Sequence, residues 1–221
     1  YRDNNFYDVT VGIGNQQYSG AASWSHLHAL GKRGRFKVGY GIRFTSYIGK
    51  DHDFITAPAR LTSRQTGPQV LFSKTYNESL DTVSFANAQI NMLNLGIHLE
   101  YPVFKKLDLG FNIDAFGFSF GARENGMLRS SIKPANLSVE QSARPTSLNA
   151  LLVSDNDIGS LNSELYIRYW IKNNTALKIG FGFLFAEYTT DNKLIFDNDR
   201  FRNKVSLAVA GVTYNPFRNQ N

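Results

Sequence analysis

The sequence predicts an all-β chain, an eight-stranded antiparallel up-and-down transmembrane β-barrel with a polar, side-chain-filled lumen, folded as one domain over residues 1–221. Two observations carry this. From Phe36 to Ile48, Phe36, Val38, Tyr40, Ile42, Phe44 and Ile48 alternate with Lys37, Gly39, Gly41, Arg43 and Thr45. Side chains of a strand alternate between two faces, so this segment has one apolar face and one polar or ionic face. The second observation is that such segments recur, joined alternately by tight turns and long connections after the first hairpin. A water-soluble barrel buries its apolar face; a transmembrane barrel turns it to lipid and keeps a polar interior.

The first strand is Phe6 to Ile13, with Tyr7, Val9, Val11 and Ile13 against Asp8, Thr10 and Gly12. Asn15-Gln16-Gln17 turns into a second, less sharply patterned strand from Tyr18 to Leu30. Gly31-Lys32-Arg33-Gly34 is a hairpin turn, where glycine supplies the unusual dihedrals. The third strand ends near Gly49. Residues 50–85 lack periodicity, carry Pro58, Gly67 and Pro68, and are expected to be a long loop. Strand four, about Ile90 to Tyr101, sets Leu93, Leu95, Ile97, Leu99 and Tyr101 against Asn94, Gly96, His98 and Glu100.

After Pro102 to Lys105, strand five sets Leu107, Leu109, Phe111 and Ile113 against Asp108, Gly110, Asn112 and Asp114. Its phase then inverts to Phe116, Phe118 and Phe120, which predicts a bulge or an aromatic plug. Residues 123–158 form a second long loop. Strand six places Leu165, Ile167, Tyr169 and Ile171 against Glu164, Tyr166 and Arg168. Asn173-Asn174 turns into strand seven, with Leu177, Ile179, Phe181, Phe183 and Phe185 against Lys178, Gly180, Gly182 and Leu184. A loop over 190–202 leads to strand eight, Val205 to about Tyr214. An even number of strands brings the last beside the first, which leaves no open edge in lipid.

Composition sets bounds. No run approaches the roughly 18 consecutive apolar residues of a membrane helix. A mean hydropathy of −0.30 does not count against a barrel whose strands are half apolar. The 24 Lys and Arg are dispersed, which argues against a nucleic-acid partner despite a formal charge of +6. Cysteine is absent, so disulfides and thiolate metal sites are excluded. The chain starts at Tyr1 and is read as a product whose signal peptide is removed or absent.

In its short-turn hairpins the chain resembles the small eight-stranded outer-membrane barrels, the OmpA/OmpX-like group, and is most similar to the Bacteroidetes-type outer-membrane β-barrel proteins. The likeness is carried by Tyr101-Pro102-Val103-Phe104-Lys105-Lys106-Leu107-Asp108-Leu109-Gly110-Phe111 and by the stretch from Asn173 to Phe183. It implies a bacterial outer-membrane location, with short turns toward the periplasm and long loops toward the exterior. Partners are then outer-membrane lipid, lipopolysaccharide and other outer-membrane proteins.

Residue by residue, the inward set is Lys37, Arg43, His98, Glu100, Asp108, Asp114, Glu164, Arg168 and Lys178, and Arg43 and Arg168 are expected to pair with some of Glu100, Asp114 and Glu164. An eight-stranded barrel is just wide enough for side chains to fill. Mixed charge in so narrow a lumen favours ion-paired closure over an open pore. Tyr101, Phe104, Tyr169, Trp170, Tyr214 and Phe217 are expected to form an aromatic belt at the short-turn end. Glu187 shares the outward phase at a strand end.

Other candidates are weak. His26 and His28 share a strand face but have no evident third metal ligand. Ser25 and His26 evoke a nucleophile and base, yet neighbouring strand residues face opposite ways. Asp155/Asp157 and Asp197/Asp199 could hold calcium but read as turns. Asp81-Thr82-Val83 fits a short O-glycan acceptor pattern. No catalytic residue, cofactor site or metal site is assigned. The loops hold Phe54, Ile55, Leu71, Phe72, Tyr76, Leu128, Ile132, Leu148, Leu151, Leu152 and Val153, apolar content that suggests that they fold over the mouth or dock on a partner. The expected role is a non-enzymatic scaffold or accessory subunit of an envelope complex. The alternatives are an OmpW-like barrel that transports or senses hydrophobic molecules, a lipid A-modifying enzyme, and a soluble lipocalin-like carrier.

Overall fold

The structure, a computed structural model, describes residues 5–31, 34–62, 81–129, 139–152 and 156–218. In chain order the strands are β1 (Asn5–Ile13), β2 (Gln17–Leu30), β3 (Phe36–Thr56), β4 (Thr82–Phe104), β5 (Leu107–Phe120), β6 (Glu124–Arg129), β7 (Glu140–Pro145), β8 (Leu148–Ala150), β9 (Leu161–Trp170), β10 (Thr175–Thr190) and β11 (Arg200–Tyr214). They form one antiparallel sheet. Its principal ring runs β1-β2-β3-β4-β5-β9-β10-β11 and closes where Tyr7 to Ile13 pair with Tyr214 to Ala208. These are the eight strands read from the alternation. The tight turns after β2, β4 and β9 lie at one end, the floor, together with Asn5 and the end of β11.

Sidedness follows the alternation. Phe44, Leu95 and Phe181 are 41%, 54% and 67% exposed on the outer wall, whereas Arg43 and Asn94 are 5% and 1% exposed inside. A globular core would show the reverse. β5 carries a bulge: Leu95 pairs with Phe116 but Gly96 with Asp114, so Ala115 is the extra residue. Phe116, Phe118 and Phe120 consequently return to the outer wall instead of plugging the lumen.

The long loops need correction. β3 runs on to Thr56 and β4 starts at Thr82, so much of 50–85 is a continued hairpin. Within 123–158, β6, β7 and β8 are strands, and β11 starts inside the expected 190–202 loop. The reason is a reversal of face. Asp51 takes a left-handed conformation, φ 55°, which asparagine and aspartate tolerate better than most residues. Below it Thr45 and Tyr47 point inward; above it Phe54 and Thr56 do. β4 reverses at the same height, from Ala88 and Ile90 to Phe85 and Val83.

Above that height the principal ring loses strands and a second ring takes over. β4 pairs with β6, β6 with β7, β7 with the top of β10, and β10 with β11. Phe201 and Arg202 of β11 then meet Thr56 and Ile55 of β3 and close it. This upper tier has the polarity of a water-soluble barrel. Phe54, Val83, Phe85, Leu128, Tyr188 and Phe201 fill its interior, and Tyr47, Ile90 and Met92 continue the same apolar cluster just below the reversal. Phe85 stacks on Tyr188 at 4.7 Å between ring centroids, and Phe54 meets both edge-on. The chain is thus inside-out below and ordinary above.

Candidate functional site

The lower interior is ionic. Arg43 on β3 donates through Nε (3.0 Å) and Nη2 (2.5 Å) to Asp114 Oδ1 on β5. Its Nη1 donates to Asn112 Oδ1 at 2.7 Å and lies 3.5 Å from Glu164 Oε1 on β9. The other oxygen of Asp114 accepts from Asn94 Nδ2 at 2.8 Å and from the Asn162 backbone N–H at 2.9 Å. Glu164 accepts from Lys178 Nζ at 2.7 Å and from Asn112 Nδ2 at 3.1 Å. Charge-assisted bonds of this kind are stronger than neutral ones and hold several strands at once.

The network continues toward the floor. Lys178 lies 3.6 Å from Asp8 Oδ2 on β1, and Arg168 Nη2 lies 3.5 Å from the same oxygen. Arg168 also donates to Glu100 through Nη1 and to Thr213 Oγ1 through Nε, the latter at 2.9 Å. Lys37 Nζ donates to Glu100 Oε1 at 3.0 Å. The cations also stand over rings: Arg168 over Phe6 at 4.6 Å, Lys178 over Tyr166 at 4.2 Å. Carboxylates Asp8, Glu100, Asp108, Asp114 and Glu164 nearly balance Lys37, Arg43, Arg168 and Lys178. Asp8 was not singled out in the sequence, although Tyr7 and Val9 facing outward place it inside.

Both ends of this compartment are filled. The apolar interior of the upper tier sits above it. Below, Trp170 is 1% exposed and donates Nε1–H to Asp108 Oδ2 at 2.6 Å. Arg218, past the end of β11, lays its guanidinium 3.9 Å from the Trp170 ring centroid. It donates to the carbonyls of Asn173 and Lys105 in the two neighbouring turns, at 3.4 and 3.3 Å. Trp170 therefore does not belong with the outward aromatics, because β9 places its even-numbered residues inside. Tyr101, Phe104, Tyr169, Tyr214 and Phe217 do face outward, each at least 40% exposed. Glu187 is fully buried despite its outward phase, held by Arg200 and Arg202 at 2.7 Å each.

The remaining candidates separate. Ser25 is buried facing the lumen while His26 lies on the outer face, its Nδ1 3.0 Å from Asn5 Oδ1, so the two form no catalytic pair. The His26 and His28 rings meet at 4.6 Å, and no group of three possible metal ligands occurs among the described residues. Asp157 Oδ1 accepts from the Leu152 N–H at 2.7 Å. Asp197 pairs with Lys193 at 3.0 Å, and Asp81 is buried. Of the apolar loop residues, Phe54 and Leu128 enter the upper core, whereas Ile55, Leu148 and Leu152 stay exposed. Leu71, Phe72, Tyr76, Ile132, Val153 and Asp155 lie outside the described residues. On the outer side of the upper tier a cavity of about 490 Å³ is bordered by Asp51, His52, Asp53, Ser84, Met127 and Arg129.

A ring of eight strands with an apolar outer wall and a lumen packed with paired charges defines the class: an antiparallel transmembrane β-barrel with a filled interior. No family model matches the chain, and no curated protein matches it. Among solved structures it is similar to Neisserial surface protein A, at 8% identity and a TM-score of 0.41 over 96% of this chain and 94% of that one. The outer membrane protein Ail of Yersinia pestis is 6% identical, with a TM-score of 0.36 over 96% of this chain and 98% of that one. A major outer membrane protein from Thermus thermophilus is 12% identical, with a TM-score of 0.40 over 95% and 98%.

Proposed function

We propose that the chain is an integral barrel of the bacterial outer membrane, a non-enzymatic scaffold or accessory subunit that presents its upper tier to another envelope protein. The carrying observation is the division of the interior. Among the described residues, salt-bridged side chains occupy the lower compartment and a hydrophobic core occupies the upper one, so the polar lining is interrupted along the barrel axis. That interruption favours a role for the outward surfaces over one for the axis. A two-tier wall is a rigid platform, and rigid scaffolds are where binding surfaces are best held.

The outer cavity of the upper tier is the favoured docking point. It joins an exposed apolar side chain, Met127, to His52, Arg129 and the carboxylates of Asp51 and Asp53. Such a mixed border is what a protein partner with both apolar and charged groups fits. The test is gentle detergent extraction from the native membrane, followed by identification of companions of the wild type and of Met127→Glu. A companion held by the wild type and released by the variant supports the reading. Isolation of the wild-type barrel alone, or companions indifferent to the substitution, refutes it.

A further inference from the structure

His26 and His28 lie two residues apart on β2, so both side chains leave the outer face of the strand. The ladders set their depth. Tyr7 pairs with Trp24 on β2 and with Tyr214 of the aromatic belt on β11, and the two histidines follow Trp24 toward the floor. At the depth of a belt, side chains meet headgroups and water, so a dissolved ion can reach these rings.

The neighbours of His26 fix its proton. Asn5 Oδ1 lies 3.3 Å from Trp24 Nε1 and 3.0 Å from His26 Nδ1. An indole nitrogen only donates, which identifies the Asn5 atom as the carboxamide oxygen, and that oxygen only accepts. The His26 proton is therefore on Nδ1, and Nε2 keeps its lone pair. Imidazoles that ligate metals are held in this way, with the other ring N–H given to a fixed acceptor.

His26 is half-buried and His28 exposed, and their rings stand 4.6 Å apart between centroids, inclined at 72°. Tyr40, opposite His26 on β3, walls one side of the pair at 6.0 and 6.3 Å. The spacing carries a preference. An ion about 2.0 Å from one nitrogen of a ring lies about 3.2 Å from that ring's centroid. Two such bonds at a right angle set the centroids about 4.5 Å apart, and at the tetrahedral angle about 5.2 Å apart. The observed distance fits the right angle, which is the geometry of square-planar Cu(II) and Ni(II), and Cu(II) binds nitrogen ligands more tightly than Ni(II).

We propose that His26 and His28 hold one Cu(II) ion on the outer wall at the short-turn end, with water in the remaining positions. No group of three possible ligands forms among the described residues, so this is an open, exchangeable site of one chain. Asn5 is a positioning residue, acting through the Nδ1–H of His26. The site does not depend on the scaffold reading.

Copper(II) supplied alone to the full chain folded in dodecyl maltoside micelles tests this, by equilibrium uptake and by electron paramagnetic resonance. The expected result is one ion per chain, with a spectrum split by two nitrogens. His26→Ala and His28→Ala should each weaken uptake at least about tenfold, and Asn5→Leu by about tenfold through loss of the acceptor. His52→Ala, on the upper tier, should leave it unchanged. A spectrum of one nitrogen or of four, one ion shared by two chains, uptake that survives loss of both histidines, or full uptake by Asn5→Leu overturns the proposal. Correct folding is checked by heat-modifiable gel mobility. His28 is exposed near the end of its strand and can be replaced without loss of packing, so that variant reads the site in a folded barrel.

Discussion

Arg43 and Asp114 stand on strands that are not neighbours, β3 and β5, and meet across the lumen through two donors on one carboxylate oxygen, at 3.0 and 2.5 Å. β4 lies between them and contributes Asn94 to the other oxygen. A contact of this kind fixes three strands against one another. Both partners are buried away from bulk solvent.

Removing one partner should therefore cost more than removing both charges. Arg43→Met leaves Asp114 and Glu164 short of a cation, a loss of about 3–5 kcal/mol for a broken buried pair. Arg43→Met combined with Asp114→Asn should recover a large part of it. Urea unfolding of the detergent-folded barrel, followed by tryptophan emission, measures both. A double variant less stable than the single one would contradict the pairing.

The polarity of the wall can be probed by position. Phe181→Arg places a charge on the lower outer face and should destabilise the barrel in vesicles by about 2–4 kcal/mol. Asn87→Arg, exposed at the reversal of β4, should stay within about 0.5 kcal/mol. Equal effects at the two sites would argue that the lower wall does not meet hydrocarbon.

Filling of the lumen also depends on glycine at specific positions. A Cβ on Gly110 would run into the Tyr166 ring, which is 2% exposed. Gly110→Val should cost about 1–3 kcal/mol by overpacking. Tyr166→Ala in the same chain should relieve the clash, so the two substitutions are less than additive in equilibrium unfolding.

Planar-bilayer recording addresses the sealed axis. The wild type should give no large, reproducible unitary conductance. A steady conductance of uniform size across insertions would show that the lower and upper compartments connect.

Much of the lower barrel was legible because lipid and lumen impose opposite demands on alternate residues. Leu93 to Tyr101 and Leu177 to Phe185 could be assigned to faces with no knowledge of their neighbours. The ionic residues of the lumen were legible for the same reason, although their pairing was open. Arg43 lies between Asp114 and Glu164 because of strand register, and Asp8 joins only because β1 closes against β11. Trp170 was misplaced since aromatic character alone does not say which face a terminal strand residue takes.

The upper tier was not legible as a barrel. Its strands are short, and the face reverses at Asp51 and again near Ala86, so no single period-two pattern runs through them. β6 and β7 follow one another, but β6 also pairs with β4 and β7 with the top of β10, which lie far from them in the chain. The amino-acid order alone determined an alternating chain that must turn its greasy side outward, because that demand acts on each residue locally. Tertiary structure alone decided where the wall changes polarity, which charges meet and how the ring closes a second time, because those depend on register between distant strands.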